Sequence, residues 1–538
     1  MKRIGHILAL IIALALFAAA CGPAATTAAP AATEAPAAEA TEAPAAEATE
    51  APAATEAPAA EATEAPAAEA SEVIIAIGAD PTTLDPQARD DGGERTINDS
   101  VFDTLLARDQ DMAIVPSLAT AYEQLDDTTW QFTLRDDVTF HNGEPFNAAA
   151  VVFSVARIID PDFNSEQLSF FETVIGAEAV DEYTVNILTS GPDPILPSRM
   201  YWMKMVPPGY YGDSGNALDS EPVGSGPYEF VSWTRGEEVV LAANADYWGG
   251  APSIDRVVIR TIPEGSTRLA ALQAGEVDLV RDLLPEQIAA APVSKHTPGL
   301  EFPIIRLNNK EGVLQDVRLR QAMNYAVDKE GLAEALFGGY AVLAQGQILT
   351  PGHFGFNPSL QPYAYDPARA MELIAEAGYT GEVIDFYGES GRWLKDKETI
   401  EAVAAQLNEV GLNVQVQIFE FTRYLDFVFA QENQPQIIYV SHDNTLLDAD
   451  RTLSAYFHCT GRISSYCNQA VSDLIDAART ETDVAAREQM YFEAQQIAYD
   501  EAALIYMLNV ENIYGLSAQL NWEPRLDNKI LFASMSLQ

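Results

Sequence analysis

The chain predicts an α/β protein of several domains, with parallel strand pairing in its later half. Three observations lead there. Its 538 residues exceed what a single core organises, so two to four domains are expected. Beyond residue 310, helix patterns and strand patterns alternate at the spacing of crossover units. From Pro222 to Val280 the order reads turn, strand, strand, turn, strand, capped helix, strand.

That last stretch follows from local chemistry. Gly224-Ser225-Gly226-Pro227 is a turn cluster, because glycine tolerates positive φ and proline fixes its own. Glu229 to Trp233, Val239 to Leu241 and Val257 to Ile262 are rich in β-formers. Pro263, Glu264 and Ser266 open a helix with Leu269 and Leu272 on one face, and Gly275 stands where a left-handed residue would end it.

The remaining elements follow in chain order. Lys2 and Arg3 precede the apolar run Ile7 to Ala20, which has the length of a signal peptide and is short for a membrane span. Small residues then lead to Cys21 and resemble a bacterial lipobox, with Ala18 where leucine is usual; this implies cleavage before Cys21 and a lipid on its thiol. Residues 22–71 repeat Ala, Pro, Glu and Thr, and are expected to be a disordered acidic tether. Folded sequence begins with the strand Val73 to Ile77. Residues 95–125 suggest a helix followed by a loop through Pro116. Thr129 to Leu134 alternates as a half-buried strand, and His141-Asn142-Gly143 reads as a hairpin-like turn with a structural histidine. Asp316 and Asp366-Pro367 are helix starts, Gly378 is a helix end, and Ile400 to Val410 is amphipathic up to Gly411. Asn413 to Ile418 alternates as a strand, and residues 470–500 are strongly helical.

The formal net charge of −48 argues against nucleic-acid binding. Cys459 and Cys467 form a close pair, which in an exported protein suggests a disulfide; the rival is a metal site with His458 and His442. Spacing does not favour the metal, since there is no CxxC and the six histidines are scattered. G-x-S-x-G, HExxH and P-loop spacings are missing, and paired carboxylates are too plentiful here to mark a glycosidase. No cofactor is indicated.

Six stretches in order resemble the peptide-type extracytoplasmic solute-binding proteins of family 5: Leu84-Asp85-Pro86; Thr129 to Phe146; Pro222 to Val280; Arg318 to Ala322; Tyr365-Asp366-Pro367; and Glu376-Ala377-Gly378-Tyr379. The resemblance implies a periplasmic-binding-protein-like type II fold. Two lobes would be joined by crossings near 303–309 and 500–510. Lobe I would take 72–110, 222–305 and 507–538, with an extra subdomain at 111–221; lobe II would take 306–506. It also implies a monomeric, non-enzymatic receptor that hands peptides, or another solute such as an oligosaccharide or metal chelate, to an ABC permease and its ATPases. Members place an aspartate just after a second-lobe strand to hold the peptide ammonium. Here that strand is Gln436 to Val440, and Asp443 is the matching candidate. Val440 stands where tryptophan is usual, extra residues precede Asp448-Ala449-Asp450, and no arginine lies between Arg423 and Arg451. Phe421, Tyr424 and Tyr439 are candidate cleft aromatics, with Arg392 and Trp393 nearby.

Overall fold

The computed structural model describes residues 70–89, 92–213 and 216–538. They belong to one compact unit, Ala68–Gln538, which carries all of the sheets and apolar clusters described below. The signal segment, Cys21 and nearly all of the expected tether lie outside the described residues. Ser71, at the end of that tether, is already fastened to Asp255, whose carboxylate accepts from its backbone N–H and its hydroxyl.

Three sheets organise the unit. The first has eight strands, running Val293–Pro298, Leu508–Leu516, Leu279–Arg281, Glu72–Ile77, Arg256–Thr261, Glu238–Ala243, Tyr228–Thr234, with Ala341–Leu343 added on Leu508–Leu516. Glu72–Ile77 pairs in parallel with both of its neighbours. The second sheet has the order Asn413–Ile418, Val383–Gly388, Ile437–Asp443, Glu301–Leu307, Leu504–Ile505. Its first three strands are parallel. The helix Asp396–Glu409 makes one crossover, burying Ile400, Val403, Ala404 and Leu407. The unbroken apolar run Ile437 to Val440 has a plain cause: Ile437 and Tyr439 enter one buried cluster, Ile438 and Val440 another.

The third sheet is an antiparallel set of four strands, Ala119–Asp126, Thr129–Leu134, Thr184–Thr189 and Val174–Asp181, with the helix Ala148–Ile158 against it. Buried ion pairs fasten this region to the first sheet's surroundings: Arg157 with Asp85, and Lys204 with Asp99. His141 adds a third tie. Its Nε2 donates to the Gly226 carbonyl at 3.0 Å, and its backbone N–H donates to the Gly224 carbonyl at 2.8 Å. The histidine thus joins two of the sequence stretches that looked separate, and burial lowers its pKa.

Several boundaries differ from expectation. The chain leaves the first sheet at Pro298 and enters the second at Glu301, so the first crossing is Gly299–Leu300 and not 303–309. Phe302 to Leu307 is too apolar for an exposed hinge and instead forms a buried strand. The return crossing is Tyr506–Met507. The helix expected from residue 95 is Gly92–Val101. It stops where Asp103 is claimed by the Ser225 and Tyr247 hydroxyls and the Trp248 indole, each at 3.0 Å. Residues 470–500 form two helices, Gln469–Thr480 and Val484–Asp500, the second capped by Asp483. Cys459 and Cys467 are joined as a disulfide. His442 is bonded to Thr452 and His458 lies by Asp476, so neither histidine is arranged with the sulfurs around an ion. No cluster suited to a metal occurs among the described residues.

Candidate functional site

A cavity of about 310 Å³ lies where the two large sheets meet. Asp282 to Leu284 and Val510 to Ile513 line it from the first sheet's side. Glu301, Pro303, Ser441 and the loop Arg392 to Leu394 line it from the second's. Strand alternation decides which side chains share this wall. Residues 301 and 303 lie on one face of their strand; 439, 441 and 443 lie on one face of its neighbour. Glu301 and Asp443 are direct partners in the register. Two carboxylates therefore start side by side at the edge of the cavity.

The wall is acidic. Glu301 is exposed at the cavity rim, and the desolvation of its surroundings, with the Asp443 carboxylate beside it, raises its pKa. The Trp393 indole N–H donates to Glu301 Oε1 at 2.6 Å. Asp282 and Glu511 add negative charge across the cavity, Glu511 being paired with His296. Asp443 is half-buried, and its Oδ1 is buried without a hydrogen-bond partner. Arg451 supplies a positive charge beside Asp443, and the unbonded Oδ1 still leaves room for a cationic donor.

The loop that carries Arg392 and Trp393 is built around a second carboxylate. Asp396 Oδ2 accepts from the backbone N–H groups of Gly391, Arg392 and Trp393 at 2.9, 3.1 and 3.0 Å. Beneath it, burial and the neighbouring Asp396 charge push the Glu389 carboxyl up to about 7. The Arg392 guanidinium lies 5.5 Å from the Trp393 ring centroid and 5.0 Å from that of Phe421.

The predicted residues meet, but in two layers. Phe421 is 37% exposed and stacks on Tyr424. Tyr424 is buried and donates its hydroxyl to the Tyr439 carbonyl at 2.7 Å. Tyr439 is buried behind Trp393, edge to face at 5.9 Å, and burial raises its pKa well above the ordinary range. Tyr424 and Tyr439 thus support the wall from behind, because both rings are needed to fill the space under Trp393. Asp443 is paired within the strand Ile437–Asp443 and does not follow it as a loop residue. Its neighbours Ser441 and Glu301 line the cavity. Sequence reading missed Glu301, Asp282 and Glu511. The only available signal was an acidic residue opening the long apolar run 302–307.

The architecture can be compared with known proteins. Residues 113–464, well over half of the chain, match the family described as bacterial extracellular solute-binding proteins, family 5 middle. The chain belongs to that family. The glutathione-binding protein GsiB of Pectobacterium atrosepticum is 29% identical over 466 residues, covering 83% of this chain and 90% of GsiB. HbpA2 from Haemophilus parasuis superposes with a TM-score of 0.79 at 24% identity, covering 87% of this chain and all of HbpA2 (100%). DppA from Helicobacter pylori, solved with the peptide STSA, gives a TM-score of 0.69 at 24% identity, covering 87% and 98% of the two chains. This family 5 chain is therefore an extracellular solute-binding protein and not an enzyme. Its fold is the type II periplasmic-binding-protein arrangement expected from sequence. No helix among the described residues is long and apolar enough to cross a membrane.

Proposed function

We propose that the chain captures short peptides through their free ammonium group and delivers them to the importer's permease. The observation that carries this reading is the pair Glu301 and Asp443, side by side at the cavity edge, with Asp443 Oδ1 buried and unpartnered. An ammonium group between them would gain charge-assisted hydrogen bonds in a site that loses water as the lobes close. Arg392 makes no ion pair among the described residues and lines the same cavity, so it supplies the carboxylate partner that the strand itself lacks. A cavity of about 310 Å³ is at the small end for ligand sites and suits peptides of a few residues. The GsiB relative, named for binding the peptide glutathione, supports the same chemistry.

In this reading lobe I takes 72–110, 222–300 and 507–538, with 111–221 as its extra subdomain, and lobe II takes 301–506. The protein acts as a monomer, held at the membrane by a lipid on Cys21. Cys21→Ala would release it from the membrane fraction and abolish incorporation of labelled fatty acid.

Native mass spectrometry of the chain purified without refolding tests the solute. Co-purifying short peptides are expected. Asp443→Ala should weaken their binding roughly 10- to 100-fold, as should N-acetylation of the peptide. A bound sugar or metal chelate, or full affinity for acetylated peptides, would overturn the ammonium reading.

A further inference from the structure

The segment Asn444 to Asp448 departs from ordinary loop behaviour. It follows Asp443 directly and contains the residues that looked like an insertion in the sequence. It is anchored firmly in its own lobe. Asp448 receives two hydrogen bonds from buried Arg487, at 2.7 and 2.8 Å, and the His353 Nε2 donates to the Asn444 carbonyl. Its tip leaves that lobe. Leu446 is 2% exposed and belongs to the apolar cluster of Trp202, Phe171 and Met203, in the region fastened to the first sheet. The Trp202 indole donates to the Thr445 carbonyl at 3.0 Å, and the Arg108 guanidinium to the Leu446 carbonyl at 2.9 Å.

Next along, Leu447 packs with Met112 from the first lobe's side and with Leu300 of the crossing. Leu447 and Met112 both hold left-handed backbone, φ 56 and 68. Such conformations persist in non-glycine residues only where the surroundings impose them. So the tip is held by apolar burial, by two hydrogen bonds to its backbone carbonyls and by a strained contact at the hinge. None of these involves the solute cavity.

We infer that residues 444–448 are an inter-lobe latch, with Leu446 as its tip, which draws the lobes together before any solute binds. A latch of this kind raises apparent affinity without touching the ligand, because less of the binding energy is needed to close the cleft. It also holds Asp443 against the first lobe, so Leu446 is a positioning residue for the cavity. The inference concerns closure alone and stands whatever the solute is.

Distance measurement between two spin labels tests it on the compact body, whose other cysteines are tied up in the Cys459–Cys467 disulfide. Exposed Ile175 and Val383, one on each lobe, take the labels as Ile175→Cys and Val383→Cys. Without added solute, the protein should show a short-distance population. Leu446→Ser should cut the ratio of short to long distances roughly tenfold or more, while Leu446→Met keeps it. Should Leu446→Ser fail to fold by circular dichroism, Trp202→Phe, which removes the indole donor together with part of the ring and keeps an aromatic there, should shift the ratio the same way by a smaller factor. A solute-free protein with no short-distance population, or a distribution unchanged in Leu446→Ser or Trp202→Phe, would overturn the latch.

Discussion

The Gly224 to Pro227 turn and the Glu389 to Asp396 loop are both glycine-bearing connections beside a sheet, and they are fixed by opposite means. The turn is held chiefly by steric contact at close approach. A Cβ on Gly224 would meet the Val101 carbonyl oxygen at 1.9 Å, and one on Gly226 the Ser100 oxygen at 2.6 Å. His141 and Ser225 complete it through hydrogen bonds. The loop is held by a charge: the Asp396 carboxylate gathers three backbone N–H groups on one oxygen, above a carboxyl that shares its buried surroundings. The first device fixes its shape mainly by steric contact. The second gives a shape that depends on protonation, and it carries the cavity residues Arg392 and Trp393. Steric closure dominates the frame, charge-dependent order the site.

The largest expected effect breaks the frame. Gly224→Ala places a methyl group inside the Val101 backbone, where no flexible side chain can yield. A loss of about 4 kcal/mol is expected, enough to remove most soluble protein. Thermal unfolding and soluble yield measure it. A variant within a few degrees of the wild-type midpoint would show that the turn can relax, and the contrast with the loop would fail.

Asp396→Ala is expected to cost less stability, about 2 kcal/mol, since the freed N–H groups lie near the cavity and can reach water. Its effect on capture should be larger than that on folding. With Arg392 and Trp393 no longer held, solute affinity should fall at least tenfold, measured by calorimetry. Equal losses in affinity for Gly224→Ala and Asp396→Ala, each corrected for folded fraction, would erase the distinction.

This contrast also explains what was legible in the sequence. Frame elements announce themselves locally. Asp316 caps its helix, Asp366-Pro367 starts another, Gly378 ends it in left-handed backbone, and each is visible within four residues. The site does not. Glu301 and Asp443 meet only because two distant strands pair in one register, and no local pattern encodes a register between residues 142 positions apart. Tyr424 and Tyr439 looked like ligand contacts because an aromatic in or beside a strand has the same signature whether it faces a cavity or fills the layer beneath. The extra residues before Asp448 were visible as a departure, but their burial under Trp202 depends on the other lobe. The lobe crossing expected at 303–309 from the family resemblance fell a few residues late, because those residues are themselves a buried strand of the second sheet.

The smallest effect sharpens the comparison most. Glu389 has its carboxyl pushed up to about 7 by burial and by Asp396, against 4.5 for the free group. The folded state therefore binds its proton more tightly than the unfolded state between those values. By linkage, stability contributed by the neutral carboxyl is complete below pH 4.5 and is lost as pH rises toward 7. A loss on the order of 1 kcal/mol is expected across that window, measured as a falling unfolding midpoint between pH 5 and 7. Glu389→Gln keeps a neutral group that can still donate to Asp396, so this part of the pH dependence should flatten while the loop stays ordered. Burial lowers the His141 pKa, and its Nδ1 accepts from the Gly224 N–H, which only the neutral ring can do, so its titration works in the opposite direction. A protonated His141 would weaken the turn on the acid side, where the loop is strongest. Asp103, bonded to Ser225 at the turn, has its carboxyl pushed up to about 6 by burial and shares the decline, so Glu389→Gln removes the loop's part of it and leaves the acid limb intact. A Glu389→Gln profile that parallels the wild type throughout would mean that the buried carboxylate is stabilised as the charged form, and that the loop is as permanent as the turn.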